Sequence, residues 1–84
     1  MDRWQEAFED GRQCVEMDGA FLEGYWRAAL ALQKLDSLDD ALGYVERGLG
    51  VDPSYAALMN MSREIEDQIA KRRTPFSHVN SLFI

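Results

Sequence analysis

The sequence has few of the residues that build catalytic and metal sites. Its 84 residues include one cysteine, Cys14, which cannot form an internal disulfide, and one histidine, His78, which has no companion at metal-ligand spacing. We interpret Cys14 as a buried, unreactive thiol and His78 as a solvated or packing residue. The sequence therefore predicts no metal ion and no cofactor.

Basic residues and long apolar runs are also scarce. Nine lysines and arginines stand against fifteen aspartates and glutamates, a net charge of −6, which disfavours nucleic acid or an anionic membrane as partner. The longest apolar run, around residues 28–32, is far too short to span a bilayer, and no signal peptide is evident. A reducing, cytoplasmic setting is the one we expect.

Acidic pairs and glycines do not form a catalytic arrangement either. Asp39 and Asp40 are adjacent along a helix and point in different directions, so they are unsuited to paired acid-base chemistry. Gly43, Gly48 and Gly50 lack the spacing of a phosphate-binding loop and have no lysine after them. We predict that the protein is not an enzyme.

What the sequence does contain is an ordered alternation of small and bulky residues between Leu22 and Pro53. The residues that carry it are Tyr25, Ala28, Ala29 and Leu32 in a first helix and Ala41, Val45 and Gly48 in a second. Small side chains allow two helices to approach closely, and bulky ones fill the space around the contact. The pattern resembles a tetratricopeptide repeat (TPR), a unit of about 34 residues that builds binding surfaces.

The same offsets extend toward both ends of the chain. Ala7 and Cys14 lie one repeat length before Ala41 and Gly48, so residues 2–17 are interpreted as the second helix of an incomplete repeat. Downstream, one apolar stripe with charged residues around it is typical of a helix that caps a solenoid. That stripe consists of Leu58, Met61, Ile65 and Ile69.

The predicted fold is all-α, with antiparallel helix hairpins of a TPR solenoid: about one and a half repeats plus a C-terminal capping helix. The predicted helices cover residues 2–17, 21–35, 38–50 and 54–72. Residues 1–73 form the helical domain, with the complete repeat at 21–50, and residues 74–84 form an apolar tail. Ser37 with Asp40 has capping-box spacing, and Asp52 is placed as an N-cap before Pro53.

Several segments read together resemble the end of the first repeat domain of the heat-shock organising co-chaperones, the stress-inducible phosphoprotein family. These segments are WQEAFEDG at 4–11, GYWRAALAL at 24–32, ERGL at 46–49, and a charged helix followed by Pro75-Phe76. The resemblance implies a cradle that grips the acidic C-terminal peptide of seventy- and ninety-kilodalton heat-shock chaperones. It also implies a clamp of lysine, arginine and asparagine side chains, which suits a terminal carboxylate.

The resemblance places the family's clamp arginine at Arg27 and the clamp lysine at Glu23. A carboxylate at that position would repel an acidic peptide, and Glu23 and Arg27 are spaced to pair with each other. The candidate peptide-binding residues share one side of the first helix of the complete repeat. They are Glu23, Trp26, Arg27, Leu30 and Lys34.

Trp26 has two interpretations. It can anchor a bound peptide, because tryptophan is common at binding hot spots, or it can pack on Trp4, Phe8 or the next helix. Packing is favoured, because a chain this small needs its large aromatic residues in the core.

A second candidate interface lies at the N-terminal helix. Trp4, Phe8 and Val15 belong to a stripe expected to face a missing first helix, which a second copy, an exchanged helix or another subunit would cover. The expectation is a homo-oligomer or a domain-swapped dimer.

The tail adds three candidate interface residues, Leu82, Phe83 and Ile84. They either fold back onto the domain or insert into a neighbouring groove as a docking motif.

Two functions remain open at this point. The first is a co-chaperone-like adaptor that binds a peptide or a partner protein through its helix faces. The second is a scaffold or assembly subunit held by the N-terminal stripe and the tail, without binding a chaperone peptide.

Overall fold

A computed structural model of the chain describes residues 3–73, which form four α-helices joined by short turns. The helices are α1 (Arg3–Met17), α2 (Leu22–Lys34), α3 (Leu38–Val51) and α4 (Ala56–Arg73). Each helix packs against the next one in the chain, α2 also contacts α4, and no strand occurs within residues 3–73. The prediction of an all-α fold of packed helix hairpins is confirmed. Every helix end lies within two residues of its predicted position.

The α1–α2 interface depends on glycines that bring the two backbones together. A β-carbon placed on Gly11 would lie 2.6 Å from the backbone nitrogen of Ala28. One placed on Gly24 would lie 3.1 Å from the β-carbon of Cys14 and 3.2 Å from a methyl carbon of Val15. At Gly11 the distance leaves no room for a side chain, and at Gly24 the neighbouring side chains would have to shift by a few tenths of an ångström, so α1 and α2 are in close contact at both glycines.

The next close approach repeats this geometry one unit later. A β-carbon on Gly48 of α3 would lie 2.4 Å from Leu58 and 3.0 Å from Tyr25. Because Gly48 and Leu58 each lie one repeat length after Cys14 and Gly24, the two contacts are equivalent by the repeat offset. The small residues of the pattern therefore lie where neighbouring helices approach closely, as predicted.

The core is apolar and draws on every helix. Ala28, Ala29 and Ala31 are fully buried along α2, where their small size lets α1 and α3 approach from both sides. The other large contributors are Val15, Tyr25, Leu32, Leu38, Val45, Leu58, Met61 and Ile65. The predicted α4 stripe is buried at its first three positions, and Ile69 is half-buried at the edge of the core.

The turns differ from the predicted caps. Ser37 precedes α3 but makes no side-chain cap hydrogen bond. Asp52 ends α3 instead of starting α4, because its side chain accepts hydrogen bonds from the backbone and hydroxyl of Ser54 and organises the turn around Pro53. As a result α4 begins at Ala56. A local Asp-centred turn thus replaces the predicted N-cap.

The α2–α3 turn is tied to the end of α4. Asp36 has a φ of 69°, a left-handed conformation that aspartate tolerates better than most residues. Its carboxylate accepts two hydrogen bonds from the Arg72 guanidinium, at 2.8 and 2.5 Å. These hydrogen bonds, together with the charge of Arg72, hold the pKa of Asp36 below its usual value, against a smaller opposing effect of desolvation.

The Gly11 contact generates a stability prediction. We expect Gly11→Ala to lower the free energy of unfolding by about 1–3 kcal/mol, because the added methyl group must push the α2 backbone away. Gly43→Ala is the matched control, since nothing lies within 4 Å of its added β-carbon. That variant should be unchanged or more stable by up to about 1 kcal/mol. Urea unfolding followed by circular dichroism distinguishes the two, and equal effects would contradict the close α1–α2 approach.

The Asp36–Arg72 pair generates a pH prediction. Because the folded-state pKa of Asp36 is depressed, its contribution to stability is present above the unfolded value, about 3.9, and is lost as pH falls through the folded value. In Arg72→Gln the pKa of Asp36 should rise toward the ordinary value, as measured by NMR titration of its carboxyl carbon. Lys71→Gln removes a nearby cation that is paired with Asp67, and should leave the Asp36 titration unchanged.

Candidate functional site

One face of the molecule carries a groove between α2 and α4, here called the α2–α4 groove, with a volume of about 310 Å³. Its lining residues are Trp26, Leu30, Gln33, Ala57, Asn60, Met61 and Glu64. The groove combines two large apolar side chains from α2 with amides and one carboxylate. This composition suits a peptide, whose backbone needs hydrogen-bond partners and whose side chains need apolar contacts.

The groove exists because α2 has two distinct faces. Its small residues are buried against α1 and α3, whereas Trp26 and Leu30, four residues apart, lie half-buried on the side toward α4. Trp26 packs against the core and also lines the groove. The two interpretations of this residue are therefore compatible, because the side chain is only partly buried and borders both the core and the groove.

A polar bridge joins the two helices beside these apolar residues. The side-chain amide of Gln33 donates hydrogen bonds to Gln68, at 2.9 Å, and to Glu64, at 3.4 Å. The bridge links α2 to α4 beside the Glu64 carboxylate, which lines the groove. The groove consequently carries negative charge at this end.

Arg27 and Glu23 form the ion pair that their spacing predicted. A guanidinium nitrogen of Arg27 lies 2.9 Å from a carboxylate oxygen of Glu23, and each side chain is about half exposed, at 50% and 49%. A pair this exposed adds little to stability. Its importance is that the arginine available to an acidic ligand is already neutralised by a carboxylate one turn away.

Lys34 is directed elsewhere. Its ammonium nitrogen lies 6.0 Å from the centre of the Trp4 ring, within range of a cation–π interaction. The five candidate residues of α2 are thus divided among different environments. Trp26 and Leu30 line the groove, Glu23 and Arg27 pair with each other, and Lys34 approaches α1.

Sequence reasoning missed the contribution of α4 to the groove. Asn60, Glu64 and Gln68 recur every four residues, which places them on one side of the helix. The sequence alone indicates only that this side is the solvent-exposed face of a capping helix. The spacing was a usable signal, but the contact with Gln33 lies more than thirty residues away along the chain and has no sequence signature.

The N-terminal stripe lies partly against the chain's own helices. Val15 belongs to the core and Phe8 packs against it, whereas coverage of the stripe by a partner stays a prediction. Val15 is only 4% exposed, and the ring of Phe8 meets Tyr44 edge to face at 5.8 Å. Trp4 keeps 40% of its surface exposed.

The opposite side of α1 is polar. It presents Arg3, Glu6, Asp10 and Gln13, all of them exposed, with Met17 87% exposed at its end. The helix period accounts for these two sides of α1. Residues 4, 8, 11 and 15 share one face, and that face is the one that covers α2.

The remaining predicted residues need only brief placement. Leu82, Phe83, Ile84 and His78 lie outside the described residues. Cys14 is half-buried at the α1–α2 contact. Within residues 3–73, no three histidine, cysteine, aspartate or glutamate side chains are grouped as metal ligands. No helix in the described part of the chain is long and apolar enough to cross a membrane.

Three curated proteins are similar to this chain. The DnaJ homolog subfamily C member 7 homolog of Dictyostelium discoideum is 31% identical over 62 residues, which is 74% of this chain and 12% of that protein. The STIP1 homolog of the same organism is 26% identical over 83 residues, 99% of this chain and 15% of the relative. Hsp70-Hsp90 organizing protein 2 of Arabidopsis thaliana is 30% identical over 66 residues, which is 79% of this chain and 12% of that protein.

These similarities confirm the resemblance to TPR co-chaperones of the heat-shock organising type. The chain spans only 12–15% of the length of these relatives. No protein-family model matches the chain, and no solved structure gives a significant match.

Proposed function

We propose that this chain, a TPR helical module resembling the heat-shock organising co-chaperones, is a non-catalytic adaptor that binds a segment of a protein partner in the α2–α4 groove. We divide it into the second helix of an incomplete repeat at 2–17, a complete repeat at 21–50 and a capping helix at 54–72. In this arrangement α2 supplies the apolar anchors and α4 the polar wall.

The observation that carries the proposal is the composition of the groove. Trp26 and Leu30 pack against the core but are only half-buried. They therefore expose apolar surface that the described part of their own chain does not cover. Tryptophan is one of the residue types enriched at binding hot spots, because it contributes a large contact area with few rotatable bonds. Gln33 and Asn60 beside it can hydrogen-bond to an extended backbone.

The relatives, one of which is named for Hsp70 and Hsp90, suggest a heat-shock chaperone as the partner, and the family resemblance implies that its acidic C-terminal tail is the segment bound. Of the clamp positions, this chain carries Arg27, and Glu23 occupies the place of the lysine. An acidic tail would have to displace the Glu23 carboxylate from Arg27 before the arginine could bind it. Glu23 therefore weakens this partner class without blocking the apolar part of the groove.

The alternative, an assembly subunit held by the N-terminal stripe and the tail, has less support. Its stripe is largely occupied by α2 and α3, because Val15 is buried and Phe8 contacts Tyr44. What remains for an assembly role is the partly exposed Trp4, together with tail residues that lie outside the described part of the chain.

Replacing Trp26 tests the groove directly. In this test the 84-residue chain is immobilised and panned against a random-peptide phage library. The Trp26→Ala variant should retain at least tenfold less of the peptides that the unaltered chain binds in this groove. Trp4→Ala is the matched control, because it removes the other tryptophan and lies outside the groove lining. Equal retention by Trp26→Ala and the unaltered chain would contradict the proposed function.

A charge reversal at Glu23 tests the chaperone-tail hypothesis. We expect Glu23→Lys to free Arg27 and to raise the affinity for a fluorescein-labelled acidic peptide with a free C-terminal carboxylate by about tenfold, or about 1.4 kcal/mol. Fluorescence anisotropy at fixed salt measures the change. Glu66→Lys, an equal change of charge on an exposed position of α4, is the control for a merely global effect. If both variants bind the peptide equally, the α2 face does not act as a clamp.

A further inference from the structure

A second groove lies between α1 and α3, with a volume of about 530 Å³, and is here called the α1–α3 groove. It shares no lining residue with the α2–α4 groove. Its apolar surface comes from Phe8, Leu32, Leu35 and Tyr44. Leu32 is buried and the other three are half-buried, so the groove has an apolar floor that the chain itself covers only in part.

The groove is open because α3 lacks a side chain at Gly43. A β-carbon at this position would meet no atom within 4 Å, unlike one at Gly11 or Gly48. Gly43 therefore serves no close helix contact, and it lowers the intrinsic stability of its helix. It leaves a recess beside the ring of Tyr44, which Phe8 holds by an edge-to-face contact at 5.8 Å.

The two ends of the groove differ in charge. Asp39 and Asp40 occupy the first turn of α3 at one end. Arg47, about two turns further along the helix, lies at the other, where its guanidinium stacks over Tyr44 at 5.1 Å and Tyr25 at 5.6 Å. The aromatic contacts fix the position of Arg47 along the groove wall. A ligand is therefore met by negative charge at the start of α3 and by an apolar recess next to it.

We propose that the α1–α3 groove is a second docking site, and that its occupant is a segment of a protein partner with an apolar side chain next to a lysine or arginine. The apolar side chain enters the recess over Gly43 and contacts Tyr44 and Leu35. The cation contacts Asp40 at the edge of the recess. Charge complementarity selects this class over an acidic segment, which the Asp40 carboxylate repels. The proposal does not depend on the α2–α4 groove.

Filling the recess tests the proposal. Gly43→Trp places a large ring in the groove, and Gly50→Trp makes the same substitution on the same helix, at an exposed position that also has no atom within 4 Å. Circular dichroism of both variants checks that they fold alike. In panning of the 84-residue chain against a random-peptide library, the unaltered chain should retain peptides with an apolar residue beside lysine or arginine. Gly43→Trp should lower that retention at least tenfold, and Gly50→Trp should keep it within twofold.

Asp40→Lys should also lower retention of the basic peptides at least tenfold, because it replaces attraction by repulsion. The proposal is overturned if the unaltered chain retains no such peptides, or if Gly43→Trp still retains them. It is also overturned if only Trp26→Ala loses the peptides, because that result assigns them to the α2–α4 groove. Two further results would also overturn it by identifying another occupant. One is a dimer in sedimentation that Gly43→Trp dissociates, which indicates a second copy. The other is binding that appears only in the Leu82→Ser, Phe83→Ser double variant, which indicates residues 74–84.

Discussion

The architecture depends on how closely α2 can be approached by its neighbours. Gly11 of α1 meets the backbone of Ala28, and Gly48 of α3 meets the side chains of Tyr25 and Leu58, so neither glycine can accept a side chain without a shift of its neighbours. Because α1 and α3 are both fixed against α2, their mutual position follows, and Phe8 reaches Tyr44. The α1–α3 groove is a consequence of this spacing. The glycines at these helix contacts thus determine where the larger apolar residues meet.

The chemistry of the surface follows from how α2 divides its residues. The alanines face the core and exclude water, while Trp26 and Leu30 lie toward α4. Charged residues on the outer side neutralise one another locally, as Glu23 and Arg27 do. In a chain with a net charge of −6, the few cations are largely engaged with carboxylates or aromatic rings. In the proposed function, recognition at either groove would depend on apolar contact first and on carboxylates second, and this ordering differs from that of a clamp built on free ammonium groups.

The sequence predicted what depends on local spacing. The four helices, the buried stripe of α4 and the Glu23–Arg27 pair all follow from periods of three and four residues. The α1 stripe marks the limit of such periods, because an apolar stripe indicates that a helix has a partner but not which helix that partner is. Contacts between distant residues, such as Gln33 with Gln68 and Asp36 with Arg72, have no local signal. The predicted N-cap at Asp52 was wrong for a local reason. An aspartate-centred turn and a helix N-cap use the same residue type, so the sequence alone does not distinguish them.

The positions of the two grooves bear on how an adaptor of this size can work. Leu30 of α2 lines one groove and Leu32, two residues later, lines the other, so a single rigid helix separates them. Residues two apart on a helix point in different directions, and segments bound at the two sites need not collide. The alanines between and before these leucines are fully buried, so the helix has little freedom to transmit a shift from one groove to the other. Occupancy of the two grooves should accordingly be nearly independent, and the chain would link two partners by holding them at a fixed distance and orientation.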